Sequence, residues 1–183
     1  MDESPDNTSR LTSLEWAAQY HNDTVESFKH YVGAVSPKSL SSFDAFYGPR
    51  LDVGLADYIQ ETDLRSSLDL LTKIEAAFQL DYQFRCRRRL KDDLSRAFRA
   101  LYNRDQRYVS LEKDILDAWS SHALGAHQLI GELRSAFKFR HWLAHGRYWT
   151  PKLGREYDFQ LLYILALTVF ENLPLRGMNE NET

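Results

Sequence analysis

The 183 residues carry 23 Lys and Arg against 26 Asp and Glu, a formal net charge of -3, so overall charge gives no footing for nucleic-acid binding. The single cysteine, Cys86, excludes an intrachain disulfide and fits a reducing cytoplasm. The longest apolar run, residues 161–170, is interrupted by Thr168 and falls far short of the roughly 20 residues that a membrane span needs. A soluble cytoplasmic chain is expected, long enough to bury one core without metals or disulfides.

Residues 1–9 are polar and acidic with no apolar core, a pattern of neither signal nor transit peptide. They are expected to form a disordered lead to a single domain over residues 10–175, with a polar tail over 176–183. In the first helix Leu14, Ala18, Val25, Phe28 and Val32 recur on one face. His21 falls on that face and is read as a packed or surface side chain without a role. Residues 36–54 contain Pro37, Gly48, Pro49 and several serines, the composition of a connector with at most short helical turns. Phe43, Phe46 and Tyr47 within it are expected to seal one end of a bundle.

From Asp63, read as a cap, Leu64, Leu68, Leu71, Ile74 and Phe78 form a second stripe. Leu90, Leu94, Phe98 and Leu101 form a third. The two are out of phase across residues 81–89, which predicts a kink or break near residues 80–82. A polar turn follows at residues 103–108, and Ser110 caps a short helix through Ile115 and Trp119. Residues 120–125 break it.

The next helix begins at about Ala126, with Leu129, Ile130, Leu133 and Phe137 inward and Arg140 one step further along that face. A loop holding Pro151 and Gly154 separates it from a last helix over about residues 157–172. That helix is apolar nearly all round, so it should be central in the bundle or shared with a partner chain. Pro174 ends it. Strand alternation, a Gly-rich phosphate loop and internal repeats are absent from the sequence. The expectation is an all-α bundle of five to six helices.

Two groups of residues invite chemistry before any other. Arg85, Arg87, Arg88, Arg89 and Lys91 form a basic run, but Arg88, Asp92 and Arg96 are spaced by four, as are Arg89 and Asp93. Helical salt bridges would absorb part of that charge, which favours a solvated face over sequence-independent contact with a nucleic-acid backbone. Cys86 lies among these arginines, where its pKa could be lowered, yet no nucleophile signature surrounds it, so no catalytic role is assigned.

Residues 137–149 are the centre of interest. Arg140 and His145 lie inside an apolar helical segment that Gly146 closes as a C-terminal cap. Five residues turn a helix by roughly 140° and rise about 7.5 Å, so the two side chains do not share a stripe. They converge only if the arginine reaches forward, the helix loosens at Gly146, or a second chain supplies the partner. From Leu133 to Arg155 there is no Asp or Glu, while Arg134, Lys138, Arg140, Arg147, Lys152 and Arg155 are all present. This local positive segment suits an anionic ligand, unless acids of the first helix, such as Glu15 and Glu26, neutralise it.

The alternatives at this segment are structural. Arg140 can pair with a carboxylate while His145 serves the helix end, where a cation is favoured. His141 and His145, four apart, offer two zinc ligands, with His122 and His127 as distant further candidates. No glutamate stands where a zinc protease requires one, and no third or fourth ligand is evident, so no metal is assigned. Trp142, Tyr148 and Trp149 suit a core or interface, although stacking on an unpaired base is physically reasonable.

The Arg140, His141, His145 pattern resembles the signature of the HEPN superfamily, small helical domains many of which are metal-independent ribonucleases. Its mark is an Arg followed by a polar residue, then a His four to six residues after the Arg near a helix end. The resemblance implies a homodimer with a composite active site and RNA as partner, with no cofactor. The 2′-hydroxyl would attack the adjacent phosphate, leaving a 2′,3′-cyclic phosphate and a 5′-hydroxyl. It implies His145 as general acid or base, Arg140 as stabiliser of the transition state, and His141 orienting the pair. Arg147 and Tyr148 would support, with Arg134, Lys138, Lys152 and Arg155 on the RNA path.

The resemblance also suggests a toxin or phage-defence setting, with an antitoxin partner. In toxins paired with a nucleotidyltransferase, a Tyr stands two residues after the His and is modified. Here that position is Arg147, with Tyr148 one further, so modification of Tyr148 departs from the pattern. The competing readings are a HEPN-like module that binds RNA or protein without cutting, and a plain helical interaction protein.

Overall fold

The computed structural model describes residues 13–34, 51–105 and 108–178. All regular structure among them is helical: α1 (Leu14–Ala34), α2 (Leu51–Arg88), α3 (Asp93–Asp105), α4 (Leu116–His122), α5 (Ala126–Ala144) and α6 (Phe159–Asn172). The six helices make an all-α bundle. No helix among the described residues is long and apolar enough to cross a membrane. The expected lead, the aromatics Phe43, Phe46 and Tyr47, the Val32 side chain and residues 179–183 of the tail lie outside the described residues.

The 38-residue α2, about 57 Å long at 1.5 Å per residue, is the axis against which α1, α3, α5 and α6 pack. Leu70, Leu71, Ile74, Ala77 and Phe78 are fully buried on it. They meet Trp119 of α4, whose ring stands edge-on to Phe78 with centroids 5.8 Å apart, and Ile130, Leu133 and Phe137 of α5 in one core. Leu162, Ala166 and Val169 of α6 close the same core.

Two expectations about α2 are corrected. The helix starts at Leu51, not at Asp63, and it runs without a break through residues 80–82 to Arg88. One cause explains both: polar residues hold core-facing positions that an apolar stripe cannot register. Upstream this is Thr62, which is buried and whose hydroxyl donates to the Tyr58 carbonyl. Downstream they are Asp81 and Arg85, also buried. Asp63 caps a different helix, its carboxylate accepting the Phe159 N–H of α6 at 3.1 Å.

Arg85 is therefore not part of a solvated face. Its Nε donates to both oxygens of Asp81 at 2.7 and 2.9 Å. Its Nη1 donates to Asp92 and Ser95, and its Nη2 to the Pro174 carbonyl. A buried guanidinium is tolerated because each edge is answered. The Arg176 N–H also donates to Asp81 at 2.9 Å. At Gly177 a Cβ would fall 2.8 Å from Phe84 Cβ, so residues 176–177 pack onto α2, although the tail was expected to begin there.

The chain leaves α2 through Arg89, held at φ 50°. Asp92 then accepts from the Ser95 N–H at 3.0 Å and starts α3. Since a helix break separates Arg88 and Arg89 from Asp92 and Asp93, spacing by four does not put them on one helical face. Asp92 faces Arg85 and Asp93 pairs with Arg96. α3 runs on through residues 103–105, where a turn was expected. Ser110 accepts from the Lys113 N–H as predicted, but the first turn, Leu111–Ile115, is π-helical.

His21 of α1 is packed. Its ring stacks on Phe159 with centroids 4.0 Å apart. Burial pushes its pKa below the usual imidazole range, against the opposite pull of Asp63. α6 opens where expected, with Asp158 as its cap: the carboxylate accepts from the Leu161 N–H at 2.7 Å.

Candidate functional site

α5 ends at Ala144 with His145 as its C-cap. Gly146 follows at φ +83°, and the Arg147 N–H reaches back to the Trp142 carbonyl at 3.3 Å. This is a Schellman-type end, in which a left-handed residue lets a later N–H satisfy an open helix carbonyl. Nothing lies within 4 Å of an added Cβ at Gly146, so glycine is suited there by its φ and not by space. Arg147 takes the same unusual region at φ +58°. The helix thus does loosen at Gly146.

The end gathers one group of predicted residues. His141 and His145, both exposed, have ring centroids 4.2 Å apart. Trp149 lies 6.1 Å from the His141 ring, and Tyr148 stands edge-on to Trp149 at 4.6 Å. The Trp142 indole N–H donates to the Trp149 carbonyl at 2.6 Å, which ties the loop back onto α5. Tyr148 is exposed at the rim.

Arg140 goes elsewhere. Its Nη2 lies 2.5 Å from Oε2 of Glu75 on α2, with side chains 32% and 27% exposed. The alignment makes an ion pair and not a good hydrogen bond: Glu75 Oε2 and Arg140 Nε are both buried without a hydrogen-bond partner among the described residues. Arg147 forms a two-pronged pair with Glu61, Nη1 to Oε2 at 2.7 Å and Nη2 to Oε1 at 3.2 Å. That pair, with Arg65, holds the Glu61 carboxyl below its usual range. Arg134 pairs with Asp117 of α4.

The positive segment is therefore partly neutralised by acids, but not by those of the first helix. Glu26 pairs with Lys29 and Glu15 accepts from Ser13, both within or beside α1. The acids that reach the segment, Glu61 and Glu75 of α2 and Asp117 of α4, are residues that sequence reasoning missed. One signal was available: Glu75 follows Ile74 and lies between Leu71 and Phe78 in the stripe, so it borders the buried face and needs a partner. Lys138 and Lys152 stay exposed with no ion pair among the described residues. Arg155 lies over the Tyr157 ring at 5.7 Å.

Other candidates fall away from this end. The His127 ring bonds Ser120 at 2.8 Å. No cluster of three or more potential metal ligands occurs among the described residues. Burial pushes the Cys86 thiol up, despite Arg99, the reverse of the lowering that neighbouring arginines could give.

The fold and site together define a six-helix bundle whose fifth helix presents paired imidazoles at a basic, aromatic end. No family model, curated protein or solved structure matches the chain.

Proposed function

We propose that the chain is a metal-independent endoribonuclease of the HEPN type. The observation that carries this reading is the exposed His141–His145 pair, 4.2 Å between centroids, one and five residues beyond Arg140 at the end of the same helix. Imidazoles exchange protons near neutral pH. His145 would take the proton of the 2′-hydroxyl as its oxygen attacks phosphorus, and His141 would protonate the departing 5′-oxygen. Arg140 would then stabilise charge on the phosphorane-like transition state. Lys138 and Lys152, exposed and without an ion pair among the described residues, would supply backbone contacts, with Arg155 further back beside Ser135, whereas Arg134 must leave Asp117 to do so. DNA, which lacks the attacking hydroxyl, would resist.

A homodimer with a composite cleft belongs to the same proposal, since Arg140 and His145 have separate partners within one chain. So does a toxin or phage-defence setting with an antitoxin or defence-system partner. One observation favours the second reading, a module that binds without cutting: Glu75 occupies Arg140, and a phosphate would have to displace or share it.

The test is cleavage of a mixed RNA pool in excess EDTA by wild type, His145→Ala and Arg140→Ala, with matched circular dichroism spectra. Cyclic-phosphate ends from the wild type are expected, with each variant slower by about 100-fold or more. RNA binding without cutting, at concentrations where the chain is dimeric, favours the binding module. Equal cutting by His145→Ala rejects the catalytic assignment.

A further inference from the structure

The corner between α2 and α3 encloses a cavity of about 400 Å³, and no carboxylate lines it. Arg87, Arg89 and Arg99 give it three guanidinium groups. The contrast with Arg85, in the same basic run, is informative. Arg85 is buried and satisfied on every edge, whereas Arg87 and Arg89 are exposed and have no ion pair among the described residues. Arg99 gives one donor to the Leu90 carbonyl at 2.6 Å. Arg89 keeps a long side chain at φ 50°, where Gly or Asn would be less strained.

The rest of the wall fits a flat, polar-edged group. Tyr82 is only 6% exposed, and its hydroxyl is answered by no nitrogen or oxygen among the described residues, only by the weakly bonding Cys86 thiol beside it. A buried phenol of this kind stays protonated, since burial raises its pKa, so it keeps a donor behind the cavity wall. Tyr102 is half exposed and also lines the cavity, so its ring face is available for stacking. Gln83 and Asn103 add amides, each able to donate and accept.

We propose that this cavity binds a mononucleotide, with the phosphate on the fork of Arg87, Arg89 and Arg99 and the base against Tyr102. Guanidinium groups match phosphate oxygens by paired donors, and a volume of this order suits one small ligand better than a polymer. Along α2 the site is about 18 Å of helix rise beyond Glu75. It is separate from the imidazole pair, and it stands whether or not that pair cuts RNA.

The experiment is calorimetric titration of the full chain with the four ribonucleoside 5′-monophosphates and, separately, inorganic phosphate. Saturable one-to-one binding of at least one nucleotide is expected. The Arg87→Gln/Arg89→Gln double variant should weaken it about tenfold or more, and Tyr102→Ala by about three- to tenfold. Both changes are at exposed positions, and matched melting curves confirm folding. Absence of saturable nucleotide binding overturns the proposal, as does binding that ignores both variants. Phosphate binding as tightly as any nucleotide reduces the site to an anion site, and tight binding of oligoribonucleotides alone reassigns it to an RNA path. Either result also overturns it.

Discussion

Asp81 and Arg85 show how single polar residues direct the packing of the middle of the chain. Asp81 is fully buried, and burial pushes its carboxyl up to about 6, outweighing the downward pull of Arg85 and of the Arg176 N–H. An ordinary unfolded aspartate titrates near 3.8. The folded state therefore holds this proton more tightly. The stability that Asp81 contributes is full below about pH 4 and is lost as pH rises through about 6, by about 3 kcal/mol for a shift of this size. Carbon-detected titration of the Asp81 carboxyl should give a midpoint near 6. A midpoint near 4 would mean that the Arg85 pair cancels the burial and that Asp81 gives no pH dependence, and only a midpoint well below 3.8 would reverse the sign. Glu75 makes a related point at the candidate site: a half-buried acid pairs the very arginine that the motif singles out.

At the scale of elements, the helix ends are held by residues distant in sequence. Asp63, well inside α2, caps α6 across 96 positions, and Asp158 caps the same helix locally. Alanine has the higher helix propensity, so Asp63→Ala should raise the helicity of an isolated α2 peptide. It should lower the stability of the whole protein by about 1 kcal/mol through the lost cap. Urea denaturation reads this directly: a midpoint at or above that of the wild type would show that the contact contributes nothing. The end of α5 is built differently, from Gly146 and the backbone return of Arg147, so the imidazole pair is fixed by local chain geometry.

For the molecule as a whole, α6 is the element with unfinished business. Leu162, Ala166 and Val169 enter the core, but Ile164 is 56% exposed beside the half-buried Leu161. A groove lined by Ser135, Tyr157, Leu161 and Thr168 adjoins it. If two copies pair across this face, as the proposed composite cleft requires, a charge at its centre would be expensive. Ile164→Glu should convert a dimer to a monomer in sedimentation velocity while leaving the helical spectrum unchanged. A variant that sediments as the wild type does would exclude this face as the interface.

The sequence by itself determined the helices whose buried faces are apolar. The periodicities of Leu64 to Phe78, Leu94 to Phe98 and Ile130 to Phe137 follow from burial of one side of a 3.6-residue repeat, and Gly146 announced the end of α5 because few residues tolerate its φ. The true span of α2 was hidden, because Thr62, Asp81 and Arg85 take core positions with polar side chains. Asp81 and Arg85 are tolerable there because Asp92, Ser95, Pro174 and Arg176 arrive from elsewhere in the fold. Only the tertiary structure could assign Glu75 to Arg140, Glu61 to Arg147 and Asp63 to α6. Side-chain charge is written in the sequence, but which charges meet depends on how helices distant along the chain are brought side by side.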